Sequence, residues 1–302
     1  MTEPDILEIF REDGPQTGWQ LLDRSRLEAL PLWQQLRQTP GVRFESVGKR
    51  YLRLDRDVDG YARLSPSIRR EFLTYTVLGM EDQLALIHTR VQILRQEIQR
   101  ISRTKFNLAR QVMAAVAQAL PQWETLKSQV CFLIAGDITY DMAHAVPRPE
   151  VSTGRMVRGS DLDIISVAED GVSPEDLRAL DDAILRKKHF LLVHPDYQEE
   201  IDYLVKNLSK VRAQLAFDTF EHMVAGKILH EGQLLYGSPS VFRTIKKMVE
   251  ESGVSGKIKL LEQQALKSRL EAEPALLRAD PNCRSGEFYN LFYTREEGDE
   301  IY

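Results

Sequence analysis

The sequence predicts an α+β (mixed α/β) fold: a mixed sheet flanked by helices, a small N-terminal module and a C-terminal helical region. Three observations carry this. First, two short apolar runs, Gln129–Ala135 and Asp161–Val167, are broken by Gly136 and separated from a later one, Ile201–Val205, by a helical stretch. Second, Leu84, Ile87, Val91, Leu94, Ile98 and Ile101 step by 3, 4, 3, 4, 3, a helical seam of about three heptads. Third, the chain beyond about Arg212 has helical rather than alternating apolar spacing.

Taken in order, residues 1–80 read as a small mixed module. Leu21–Leu36 has helical spacing interrupted by Pro31, and Val42–Leu54 is strand-like. The turn Asp57-Val58-Asp59-Gly60 lets Tyr61–Leu64 return as a second strand, and Ser65-Pro66-Ser67 opens another helix. A helix followed by such a hairpin is compatible with a winged-helix-like unit. Residues 81–104 read as a helical connector packing on its own chain, with a homodimeric coiled coil through 84–101 as the alternative. A second helix is expected from Lys105 to Leu120, ended by Pro121. Ser173 and Pro174 supply an N-cap and first-turn proline for a helix to Lys188. His189–Val193 and Ile201–Val205 are expected as two strands joined at His194-Pro195-Asp196. The expected domains are therefore 1–80, 81–104, 105–210 and 211–302.

The chain has 302 residues, 43% hydrophobic and 28% charged, which suits globular domains and excludes collagen-like or wholly disordered readings. No apolar run approaches the roughly 18 residues a membrane helix needs, and the opening residues lack a basic region leading into an apolar stretch, so a cytoplasmic protein is expected. Two cysteines, Cys131 and Cys283, exclude a disulfide framework and a cysteine-only zinc site. Net charge is −5, but residues 1–120 hold 18 Lys/Arg against 15 Asp/Glu. That asymmetry points to a polyanionic partner, Lys49-Arg50 and Arg69-Arg70 being candidate contacts, or to ordinary solvated faces.

The chemistry is concentrated in Gly159-Ser160-Asp161-Leu162-Asp163-Ile164. Side chains alternate along a strand, so Asp161 and Asp163 project from one face with their charges forced together. Such a pair is unfavourable unless a cation sits between them, and a hard divalent ion is the natural occupant. Asp202, polar within Ile201–Val205, is a third acid that a neighbouring strand would bring alongside. Its neighbours Glu199 and Glu200 read as solvated turn residues. Three carboxylates can hold two metal ions that clamp an in-line phosphoryl displacement.

The order of an apolar strand ending in Ala135-Gly136-Asp137, a strand beginning Asp161-Leu162-Asp163, and a later strand carrying Asp202 resembles the nucleotidyltransferase superfamily related to DNA polymerase β. That superfamily includes small antibiotic, tRNA and toxin-type nucleotidyltransferases. Ile228–Gly237 is similar to the helix and Gly-x-x-Leu-Tyr-Gly stretch that follows its catalytic sheet, so the resemblance covers about residues 105–240. It implies a nucleotidyltransferase-type mixed sheet and a transferase moving an NMP from an NTP, such as ATP, to an acceptor hydroxyl on RNA, protein or a small molecule. It implies that Asp161, Asp163 and Asp202 bind two Mg²⁺ ions and are catalytic, Asp202 helping to activate the acceptor. Gly136, Asp137, Arg158, Ser160 and Tyr236 would contact the nucleotide, with backbone N–H groups after Gly136 holding phosphates.

Two departures stand out. Gly136-Asp137 replaces the usual Gly-Ser or Gly-Gly, and 25 positions separate Gly136 from Asp161 where about a dozen are usual. The added segment, with Arg148, Arg155 and Arg158, reads either as a phosphate-clamping lid, Arg158 being nearest the acids, or as a surface insertion. Lys206 and Lys210 read as solvated edge residues or phosphate contacts. Non-catalytic nucleotide sensing or nucleic-acid binding on the same fold is the main alternative function, and a two-metal nuclease the third.

Overall fold

The structure, a computed structural model, describes residues 6–150, 152–280, 290, 292 and 293. Cys283 and most of the chain after 280 lie outside the described residues. The fold is mixed α+β, with eleven α-helices and four small sheets among the described residues. No described helix is long and apolar enough to cross a membrane. The chain divides into two units, one of residues 1–98 with 261–298 and the other of 99–260 with 299–302.

The first unit contains α1 (Ile6–Asp13), β1 (Gln16–Thr17), α2 (Gly18–Ser25), α3 (Ala29–Gln38), β2 (Val42–Ser46), β3 (Tyr51–Leu54), β4 (Ala62–Ser65), α4 (Ile68–Thr74) and β5 (Thr76–Met80). Thr17 and Gln20 form a reciprocal capping box on α2. Pro31 lies in the first turn of α3, where its missing N–H costs nothing, so it starts a second helix and does not kink one. The expected hairpin is present: β3 and β4 pair antiparallel across the Asp59–Tyr61 turn. Ser67 caps α4 as the sequence suggests. Strand β5, which the sequence reading missed, is the centre of the sheet β1-β5-β2, and its core includes Phe10, Leu32, Trp33 and Phe72. The basic stretch of this unit is divided: Arg43, Lys49, Arg50 and Arg56 are exposed, while Arg63, Arg69 and Arg70 are inside. Arg63 pairs with Asp55 at 2.7 Å, Arg50 donates two hydrogen bonds to Glu71, and Arg69 and Arg70 are buried.

Helix α5 (Leu84–Gln118) is continuous, where two helices were expected. Neither Gly nor Pro occurs between Leu84 and Gln118, so nothing interrupts its hydrogen-bond ladder. Of its seam residues, Ile87, Val91 and Ile98 are buried within the single chain, Leu94 and Ile101 are half-buried and Leu84 is exposed.

The second unit follows with α6 (Trp123–Leu126), β6 (Val130–Ile134), a 3₁₀ turn (Gly136–Tyr140), β7 (Pro147–Pro149), β8 (Met156–Arg158), β9 (Leu162–Ala168), α7 (Pro174–Val193), β10 (Ile201–Asn207), α8 (Leu208–Gln214), α9 (Phe220–Glu231), β11 (Gln233–Gly237) and α10 (Pro239–Glu251). α11 (Val254–Arg278) contributes residues to both units. The sheet order is β10-β9-β6-β11, with β9 and β10 parallel and the other pairs antiparallel. A parallel pair needs a crossover, and α7 is that crossover. Ala109, Met113 and Val116 of α5 and Leu180, Ile184 and Leu191 of α7 bury one face of the sheet through Phe132, Ile134, Leu162 and Ile164. His189–Val193 is therefore the last turn of α7 and not a strand: Leu180, Ile184 and Leu191 keep the 3.6-residue period through it.

Candidate metal centre

Strands β9 and β10 run parallel in register, with Asp202 opposite Asp163. Leu162 N–H donates to Glu200 O at 2.9 Å, extending the ladder to the level of Asp161. Asp161, Asp163 and Asp202 each bring one carboxylate oxygen within 4.8 Å of the other two. The first two are half-buried and Asp202 is exposed. Three like charges this close repel one another, and a cation between them relieves the repulsion. Three hard oxygen donors fit a divalent ion of the Mg²⁺ type, whose remaining positions are ordinarily filled by water or phosphate.

Gly136 follows β6 directly. Its φ of +69° favours glycine, and a Cβ there would collide with the Asp163 carboxylate. Asp163 can face the turn only because residue 136 lacks a side chain. The N–H of Gly136 donates to Glu231 Oε1 at 3.1 Å, and Glu231 Oε2 accepts from Tyr140 Oη and Lys227 Nζ, both at 2.6 Å. A buried carboxylate thus already serves the glycine turn.

The neighbouring cations belong to the chain itself. Arg148 is only 6% exposed; its Nε donates to Gly159 O at 3.0 Å, and its Nη2 pairs with Asp161 and, at 2.7 Å, with Glu200. Lys188 Nζ donates to Asp202 Oδ1 at 3.2 Å. Burial pushes the Glu200 carboxyl above its ordinary value, and the charge of Arg148 opposes that rise. Lys105 is buried beside it, donating to Glu199 at 2.5 Å and to Arg158 O at 2.6 Å. Burial lowers the Lys105 pKa and raises that of Glu199, each countered by its partner.

The other expected site residues are distributed unevenly. Ser160 is buried and donates to Asp137 Oδ2 at 2.8 Å while accepting from His144 N–H, so both residues tie the segment before β9 to the glycine turn. Arg158 is exposed and turned to Gln198, donating through its backbone at 2.8 Å and its Nε at 3.4 Å. Arg148, not Arg158, is the arginine that reaches the acids. Tyr236 pairs with Phe132, away from the acid end of the sheet, and stacks on Trp123 with centroids 5.9 Å apart. Lys206 is buried and donates to Gln214 at 2.8 Å, so it is neither a solvated edge nor a phosphate contact.

Glu199 and Glu200 correct the sequence reading most: both are buried, because their partners Lys105 and Arg148 are inside. The signal was present. Glu200 is two residues before Asp202, and Lys105 continues the α5 seam four residues after Ile101. The 138–158 segment is likewise built and not merely tolerated. Ile138, Met142, Ala143 and Val157 are buried, β7 pairs with β8, and Ser152 and Thr153 donate four hydrogen bonds to Glu150. These outweigh burial and hold the Glu150 carboxyl down to about 2.

No family model, curated protein or solved structure matches this chain.

Proposed function

We propose that the second unit is a Mg²⁺-dependent nucleotidyltransferase that moves a nucleoside monophosphate from an NTP to an acceptor hydroxyl. The observation that carries this is the convergence of Asp161, Asp163 and Asp202 within 4.8 Å beside the Gly136 turn. Those three carboxylates would hold the metal, which when bound neutralises triphosphate charge and favours attack at phosphorus. In the transfer, the acceptor oxygen bonds to the α-phosphorus, the bond to the bridging oxygen breaks, and pyrophosphate leaves. Asp202, the most exposed acid, takes the hydroxyl proton. Arg148 and Gly159 fix the approach to β9, so Asp161 is held in place from behind. The side-chain-free Gly136 lets the Asp163 carboxylate stand against the turn, beside which the triphosphate would lie.

A second reading, non-catalytic nucleotide sensing on the same fold, is favoured by one feature. Internal partners already occupy the Gly136 N–H, Asp137 and Asp161. The test is to incubate the protein with Mg²⁺, cell extract and each labelled NTP, following pyrophosphate release and the fate of the label. Wild type is expected to release pyrophosphate, and Asp163→Asn to lose about 100-fold or more with its circular dichroism unchanged. Full activity in Asp163→Asn ends the proposal, and metal-dependent NTP binding without turnover in wild type selects the sensor.

A further inference from the structure

The C-terminal end of α7 carries a surface that neither the core nor the acid cluster explains. From Ala183 to Pro195 the chain has no acidic residue but has Arg186, Lys187, Lys188, His189 and His194. Beside Arg186, Lys187 and Lys188 sit three rings in mutual contact. Phe190 lies 4.9 Å from His194 and 5.8 Å from Tyr197, and His194 lies 5.4 Å from Tyr197. Tyr197 packs against the core and anchors the group, while Phe190 remains 43% exposed. The Lys187 ammonium stands 5.6 Å from the Phe190 ring centroid. Two acids stand beside the group: Asp196, 3.8 Å from His194 Nδ1, and Asp202, 3.2 Å from Lys188 Nζ.

Single exposed apolar residues are ordinary. A ring cluster flanked by cations is a different object, because it offers flat π faces and positive charge at neighbouring points. Its position adds meaning. Lys188, next to Lys187, reaches Asp202 of the acid cluster, and on the other side Gln198, next to Tyr197, holds Arg158. The platform therefore adjoins Lys188, which pairs with Asp202 near the start of β10, and Gln198, which holds Arg158 at the end of β8.

We propose that this surface binds the acceptor, and that the acceptor is a single-stranded nucleic acid ending in a hydroxyl. Its bases stack on Phe190 and His194, its phosphates meet Lys187 and Arg158, and its terminal hydroxyl lies toward Asp202. Stacking on an aromatic face suits unpaired bases of any sequence, whereas a duplex hides those faces.

This inference rests on the transferase reading for its catalytic meaning, but strand binding is measured apart from turnover. The probe is a fluorescein-labelled 12-nucleotide single-stranded RNA, titrated by anisotropy with the full chain. Wild type is expected to bind it more tightly than the matching duplex. Phe190→Ala is expected to weaken binding about 5- to 100-fold, and Phe190→Leu, which keeps the packing without the π face, to weaken it in the same direction. Lys187→Gln should reduce the slope of log affinity against log salt by about 0.7. Asp163→Asn should retain the affinity. Equal affinity in wild type and both Phe190 variants overturns the surface, as does a duplex that binds as well as the single strand. Label transferred to protein with equal efficiency in wild type and Phe190→Ala overturns it too. A wild type that binds the strand through Phe190 but releases no pyrophosphate overturns the reaction and leaves the surface standing.

Discussion

Arg148 is buried with its guanidinium shared between Asp161 and Glu200 and its Nε on Gly159 O. A buried charge stays in place only if its partners compensate its desolvation, and removing one partner leaves the others uncompensated. Arg148→Met is therefore expected to destabilise the protein by about 3 kcal/mol, read from denaturant midpoints. Adding Glu200→Gln should recover part of that loss, since it removes the carboxylate left without its cation. An unchanged midpoint in Arg148→Met would mean that these pairs are screened by solvent. At this scale the sequence reading was uneven for a physical reason. Asp161, Asp163 and Asp202 could be aligned from strand alternation alone, because alternation is local. Which arginine of the 138–158 segment turns inward depends on the β7–β8 hairpin and on backbone carbonyls, which residue type does not encode. Nearness along the chain favoured Arg158, and the fold turned that residue to Gln198.

At the scale of elements, β10 shows how burial and titration combine. Lys206 is buried, and burial first, then the charge of Lys210, pushes its pKa down to about 8 from 10.5. Between those values the unfolded chain keeps a proton that the folded chain has lost, so stability rises as pH increases through the window. Below pH 8 the folded chain carries a buried charge at a cost of the order of 3 kcal/mol. Lys206→Met should therefore stabilise the protein near pH 7 and flatten the rise between pH 8 and 10 in urea-melt series. Lys246, also held at about 8 by burial, works in the same direction, so some rise remains. A parallel upward shift at every pH would instead assign the gain to apolar packing. Elements with local stop signals were readable in advance: the Ser173-Pro174 start of α7 and the β3–β4 hairpin both stand. Those without such signals were not. The α5 helix crosses Ser102–Thr104 with no break, and β5 follows α4 directly, so its strand character comes from pairing on both sides with β1 and β2.

For the whole molecule, the division into two units falls at Ile98/Gln99 and Leu260/Leu261, inside α5 and α11. The sequence offers no Pro- or Gly-rich linker at either point, because helices cross both. Boundaries at 80/81, 104/105 and 210/211 follow composition, whereas the units follow contacts. The mixed sheet of the second unit was foreseeable from its strand–helix–strand order. The first unit's use of residues after 260 was not, since such long-range pairing leaves no local trace. We propose that the three aspartates of the second unit form a metal centre for nucleotide chemistry. The direct test is an anomalous difference map from crystals grown with Mn²⁺ and a non-hydrolysable NTP analogue. The account predicts a peak about 2.1 Å from carboxylate oxygens of Asp161, Asp163 and Asp202, with the triphosphate beside Gly136. A map without that peak, in which Arg148 and Lys188 alone neutralise the acids, would contradict it.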